Sequence, residues 1–131
     1  MKFLKFSLMD LYAENILDHY KNPHNKGKLE NATASFADSN PLCGDKIEMS
    51  VRINDKGIIE DIGFLGEGCA ISQASASLLT DEVMGKSVDE ANGITNEKIY
   101  ELLGVPLTTN RVKCALLSLV TLKKALALTK L

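Results

Sequence analysis

The chain has 131 residues, 45% of them hydrophobic and 24% charged, with a formal net charge of −2. That length suits one domain spanning residues 1–131, and a chain of this size buries roughly two-thirds of its unfolded surface, enough for a core without covalent staples. The lack of a basic excess argues against nucleic acid as a partner, and no apolar run is long enough to cross a bilayer, which argues against a membrane one.

The first nine residues hold an apolar stretch broken by Lys5, with no small-residue cleavage site behind it, so they read as a cytoplasmic N-terminus rather than a secretory signal. Leu8, Leu11, Tyr12 and Ile16 recur at three- and four-residue spacing and predict an amphipathic helix over 8–20. It runs out ahead of Pro23, and Asn25 and Gly27 mark a loop. His19 and His24 read as surface or capping residues. Lys21, Lys26, Lys28, Lys123 and Lys124 read as solvated faces, with docking of an acidic partner as the alternative.

Residues 32–38 suit a short edge strand. From Lys46 to Asn54 the pattern alternates, with Ile47, Met49, Val51 and Ile53 on one face and Glu48, Ser50 and Arg52 on the other, as in a half-buried strand. Asn54-Asp55-Lys56-Gly57 is a hairpin turn, and 58–65 is the return strand, broken by Gly66-Glu67-Gly68. Helices are expected over 70–84, 87–92, 96–103 and 109–129, with Thr95 capping the third and Gly104 ending it. The last is apolar nearly all round and so deeply packed. This order predicts an α+β fold, a small antiparallel sheet with helices packed around it.

Three cysteines cannot all pair within the chain, and a reducing compartment would keep them as thiols. They are then buried filler, nucleophiles or metal ligands. Cys43 precedes a strand beside Gly44, and Cys69 lies behind Gly68 where a strand gives way to a helix. Cys114 is near the start of the last helix, where filler is as good a reading as ligand. Glycine neighbours let the backbone approach a ligand closely, and a helix N-terminus stabilises a thiolate. Asp45, two residues after Cys43, completes a set of three thiolates and one carboxylate, which suits tetrahedral zinc or anchors a two-iron cluster.

These residues resemble the U-type iron–sulfur cluster assembly scaffolds, the family of IscU, SufU and the N-terminal domain of NifU. The likeness runs from Tyr12 to Ala125. Asp18-His19-Tyr20-Lys21-Asn22-Pro23 resembles the opening motif, Asn40-Pro41-Leu42-Cys43-Gly44-Asp45 the first cysteine motif, Gly68-Cys69-Ala70-Ile71-Ser72 the second and Arg111-Val112-Lys113-Cys114-Ala115 the third. The resemblance implies a three-stranded antiparallel sheet with helices packed around it. It implies that Cys43, Cys69 and Cys114 accept persulfide sulfur and bind a transient [2Fe–2S] cluster, with Asp45 as the labile fourth ligand and Zn2+ able to occupy the same site. Tyr12, Arg111 and Lys113 are candidate auxiliary residues.

The expected partners are a cysteine desulfurase, apo iron–sulfur proteins and an iron donor, and the expected state is a monomer or weak homo-oligomer. The chain would then be a cytoplasmic scaffold and sulfur acceptor rather than an enzyme. It departs from the Isc branch at Lys113, where that branch carries histidine, and at Val105-Pro106-Leu107-Thr108-Thr109-Asn110, which replaces the Leu-Pro-Pro-Val-Lys motif shown to a dedicated chaperone. It departs from SufU by largely lacking an insertion between the second and third cysteines. Two other readings stand beside the scaffold: a zinc-dependent sulfurtransferase acceptor that builds no cluster, and a zinc-stabilised interaction module.

Overall fold

In chain order a computed structural model, which describes residues 8–41 and 44–129, shows helix, three strands and four helices. They are α1 (Leu8–Lys21), β1 (Ala34–Asn40), β2 (Asp45–Ile53), β3 (Ile59–Glu67), α2 (Ala70–Val83), α3 (Val88–Asn92), α4 (Asn96–Leu103) and α5 (Thr109–Ala127). The sheet is antiparallel throughout, in the order β1-β2-β3.

The alternation of β2 sets its inner face. Met49 sits between Phe36 on β1 and Phe64 on β3, and Val51 opposes Ile62. Met49, Val51, Ile62 and Phe64 are buried, packed in one core with Ala74, Leu79 and Val83 of α2 and Ala115, Leu119 and Leu122 of α5. α5 lies across β1 and β2, and α2 lies against β3, α1 and α5. The turn behaves as its sequence predicts: Gly57 takes a φ of +76°, and the Asn54 side chain accepts the backbone N–H groups of Lys56 and Ile58. Thr95 caps α4, and Gly104 ends it in the left-handed region with a φ of +68°.

Some expectations need correction. Leu11, assigned to the apolar stripe of the first helix, is 52% exposed, because α1 packs along one narrow line through Ile16 and His19. β3 runs through Gly66 to Glu67, so the break falls at Gly68 alone. Ser50, on the expected solvent face of β2, is buried. The loop after α1 crosses that face: Gly27 N–H donates to the Phe64 carbonyl, Phe64 N–H to the Asn25 carbonyl, and Leu29 N–H to Ser50 Oγ. A Cβ on Gly63 would collide with the Gly27 carbonyl, so glycine there is what admits the loop. The last helix is buried on one face only, with Val120 43% and Leu128 59% exposed.

Lys124 is not part of a freely solvated face. Its ammonium reaches Asp38 at 2.8 Å and lies 5.5 Å from the centre of the Phe36 ring, tying edge strand β1 to α5. The Lys124 hydrogen bond holds the Asp38 carboxyl below its ordinary pKa of 3.8, partial burial opposes this, and the Ser39 N–H adds to it. A carboxyl depressed on folding stabilises above its unfolded pKa and loses that contribution as pH falls through its folded value. Lys124→Met should therefore flatten the acid limb: between about pH 5 and pH 2 the variant loses less stability in urea unfolding than the parent. Equal losses would mean that the pair contributes nothing.

Candidate metal and sulfur site

Three elements bring chemistry-bearing side chains to one point. Asp45 opens β2, Cys69 is the residue that caps α2, and Cys114 lies on the second turn of α5. One ligand atom from each lies within 4.8 Å of the others. Asp45 is fully buried, Cys69 partly exposed, and Cys114 3% exposed.

The Asp45 carboxylate is held from one side by backbone. Its Oδ1 accepts the Cys69 N–H at 3.0 Å, and its Oδ2 lies 3.8 Å from Cys69 Sγ. Asp45 thus satisfies an amide at the start of α2, where the helix presents its positive end. Cys69 makes no side-chain cap hydrogen bond, so its sulfur is not spent on the helix. Gly68 makes the approach feasible, with a φ of +147° and a missing Cβ that would fall on the Asp45 carboxylate.

The spacing between Cys69 and Cys114 is fixed by how α2 meets α5. Ser75 Oγ donates to the Ala115 carbonyl at 2.7 Å and lies 3.1 Å from Ser118 Oγ. The small buried residues Ala74, Ser75 and Ala76 let the two helices approach closely. Ala115 follows Cys114, so the hydrogen bond that locks the helices sits beside the thiol. Cys114 Sγ lies 3.7 Å from the Asn110 carbonyl one turn back, the usual outlet for a helical S–H.

Cys43 lies outside the described residues, as do residues 1–7. Tyr12 packs its ring against Gly104 at the end of α4. Arg111 and Lys113 are exposed on the first turns of α5, with no side-chain hydrogen bond or ion pair among the described residues.

A second gathering of metal-binding groups was not legible in the sequence. His19, expected at the surface, is 7% exposed, and its ring centre lies 4.5 Å from that of His24. Burial, above all, holds the His19 imidazole below its ordinary pKa of 6.5, and His24 adds to this while Asp81 and Asp18 oppose it. The only available signal was that α1, the loop and α2 would have to pack together, which local periodicity does not report.

Fold and cluster together define a small α+β domain that presents two cysteines and a buried carboxylate where one end of a sheet meets two helix starts. The chain belongs to the NifU-like N terminal domain family, whose model matches residues 11–130. It is 40% identical to the iron–sulfur cluster assembly scaffold protein IscU of Escherichia coli K12 over 119 residues, covering 88% of this chain and 91% of that one. It is 39% identical to the zinc-dependent sulfurtransferase SufU of Bacillus subtilis 168 over 138 residues, covering 92% of each. A crystal structure from Fervidobacterium islandicum AW-1, described as a putative assembly scaffold for the SUF system, superposes with a TM-score of 0.72 at 32% identity, over 92% of this chain and 99% of that one. The N-terminal region of a NifU-like protein from Brucella abortus shares the fold, with a TM-score of 0.75 at 22% identity over 92% and 94% of the two chains. The three-stranded antiparallel sheet wrapped by helices, expected from the resemblance, is therefore present, and the chain is a member of the iron–sulfur assembly scaffold family.

Gly68→Ala should cost about 1–3 kcal/mol of stability through backbone strain alone, more if Asp45 is pushed aside, and should weaken zinc binding. Urea unfolding and equilibrium dialysis read the two effects. A variant as stable as the parent would contradict the close approach of Gly68 to Asp45.

Proposed function

We propose that this protein is a scaffold on which a [2Fe–2S] cluster is assembled and from which it is passed to apo-proteins, with Cys43, Asp45, Cys69 and Cys114 as ligands. The observation that supports this best is the convergence of Asp45, Cys69 and Cys114 from three separate elements. Soft thiolates suit iron, sulfide and zinc, and the harder carboxylate is the weaker member of such a set. Cys43 is separated from Asp45 by a single residue in the sequence. Asp45 already gives one oxygen to the Cys69 amide, which leaves the other as a ligand that can let go.

The sulfur source in this reading is a cysteine desulfurase. A thiolate of this chain attacks the outer sulfur of the enzyme's persulfide, the sulfur–sulfur bond breaks, and its electron pair leaves on the desulfurase cysteine. Of the two described cysteines, Cys69, at the start of α2, is the accessible one. The protein is then a sulfur acceptor and carrier of cargo rather than a turnover catalyst. An iron donor and the recipient apo-proteins complete the partners. Among the described residues no helix is long and apolar enough to cross a membrane.

A zinc-dependent sulfurtransferase acceptor is the second reading. It draws on Lys113, where the Isc branch carries histidine, and on the SufU relative. Against it, the SufU alignment runs over 138 positions yet uses 92% of a 131-residue chain, so that relative holds inserted residues which this chain lacks.

Anaerobic incubation with a cysteine desulfurase, cysteine, ferrous iron and a reductant, followed by desalting, tests the choice. The scaffold reading expects a protein-bound visible band of the [2Fe–2S] type, abolished by Ser at Cys43, Cys69 or Cys114 and lost more slowly in Asp45→Ala. A persulfide on a zinc-loaded protein with no chromophore would overturn it in favour of sulfur transfer.

A further inference from the structure

The His19, His24 and Asp81 cluster lies away from the cysteines. Ser77 and Asp81 are on α2 eight and twelve residues beyond Cys69, about 12 Å or more along the helix axis. One ligand atom from each of His19, His24 and Asp81 lies within 4.8 Å of the others. We propose that these three residues form a second divalent-metal site, with two imidazoles and one carboxylate as donors, independent of the thiolate site.

Each ligand is held by a neighbour in the manner of metal-binding side chains. His19 Nδ1 lies 2.7 Å from Ser77 Oγ, which also accepts the backbone N–H of His24 at 2.8 Å. One hydroxyl therefore orients the buried ring and places the loop that carries the second ring. In the tautomer that donates Nδ1–H to Ser77, Nε2 of His19 is the nitrogen left for a metal. Asp81 is oriented in turn by Asn25, whose amide donates to Asp81 Oδ1 at 2.9 Å and to Thr80 Oγ1 at 3.0 Å. Asp81 Oδ2 faces His24 Nδ1 at 2.6 Å.

Asn25 holds a left-handed φ of +60°, so the loop keeps an unusual backbone shape just where it delivers His24 and the Asp81 contact. Metal–ligand bonds of about 2.0–2.1 Å place tetrahedral ligands about 3.3 Å apart. The ligand atoms here bracket that spacing, 2.6 Å between His24 and Asp81 and within 4.8 Å over all three residues. Side chains of His24 and Asp81 are 51% and 46% exposed, which leaves an entry path and room for a water as the remaining ligand. Two imidazoles and a carboxylate suit zinc and ferrous iron better than calcium or magnesium, which prefer oxygen alone. Bound metal would bridge α1, the following loop and α2.

Equilibrium dialysis of the tag-free full chain against roughly micromolar free Zn2+ tests this. The expected result is two ions per chain, one lost in His24→Gln or Asp81→Asn and the other lost in Cys69→Ser. Cobalt(II) substitution should show one component with sulfur-to-metal charge-transfer bands and a second without them, the second absent from His24→Gln. Both histidine-site variants change exposed side chains, so circular dichroism should show them folded. One ion per chain that a folded His24→Gln retains, or two retained in that variant, would overturn the proposal.

Discussion

A buried carboxylate that accepts a backbone amide holds the candidate site together. Asp45 is fully enclosed, and its hydrogen bond from the Cys69 N–H joins the first residue of β2 to the residue that caps α2. Enclosing a carboxylate costs heavily unless its oxygens find donors. The helix start supplies one donor, together with the field of its unpaired amides. A metal ion would engage the other oxygen. The same contact that places Cys69 thus takes up one oxygen of Asp45, and the other faces Cys69 Sγ at 3.8 Å.

The rest of the fold serves this contact by fixing the distances around it. The β2–β3 ladder sets where the chain turns at Gly68, since Lys46 opposes Glu67 directly behind the site. The Ser75 bond to the Ala115 carbonyl sets where Cys114 stands relative to α2. Lys124 and Asp38 tie β1 down on the far part of α5, so that α5 is pinned at both ends of its buried face. A close-packed interior transmits such constraints with little slack. This is how Asp45, Cys69 and Cys114, from distant parts of the sequence, are kept a few ångströms apart.

Much of this was legible in the sequence where the signal is local. The alternation of Ile47, Met49 and Val51, the Asn54–Gly57 turn, the Thr95 cap and the glycine ahead of Cys69 each carry their meaning in a few neighbouring residues. The convergence of Asp45, Cys69 and Cys114 came from the family resemblance, since spacing alone left Cys114 open to a packing role. What escaped depends on contacts between distant segments. Leu11 sits at the right helical phase for burial but is 52% exposed. Ser50 looked solvent-facing because nothing local announces a loop folding back across Gly63. His19 and His24 looked like isolated surface residues until α2 supplied Ser77 and Asp81.

The central claim is that Asp45 and the cysteines bind one metal together. X-ray absorption at the zinc edge, on protein loaded with a single equivalent of Zn2+, tests it most directly. The account predicts a sulfur-dominated shell with one oxygen, sulfur near 2.3 Å and oxygen near roughly 2.0 Å, and loss or replacement of that oxygen in Asp45→Ala. A first shell of nitrogen and oxygen without sulfur, or a sulfur shell indifferent to Asp45, would contradict it.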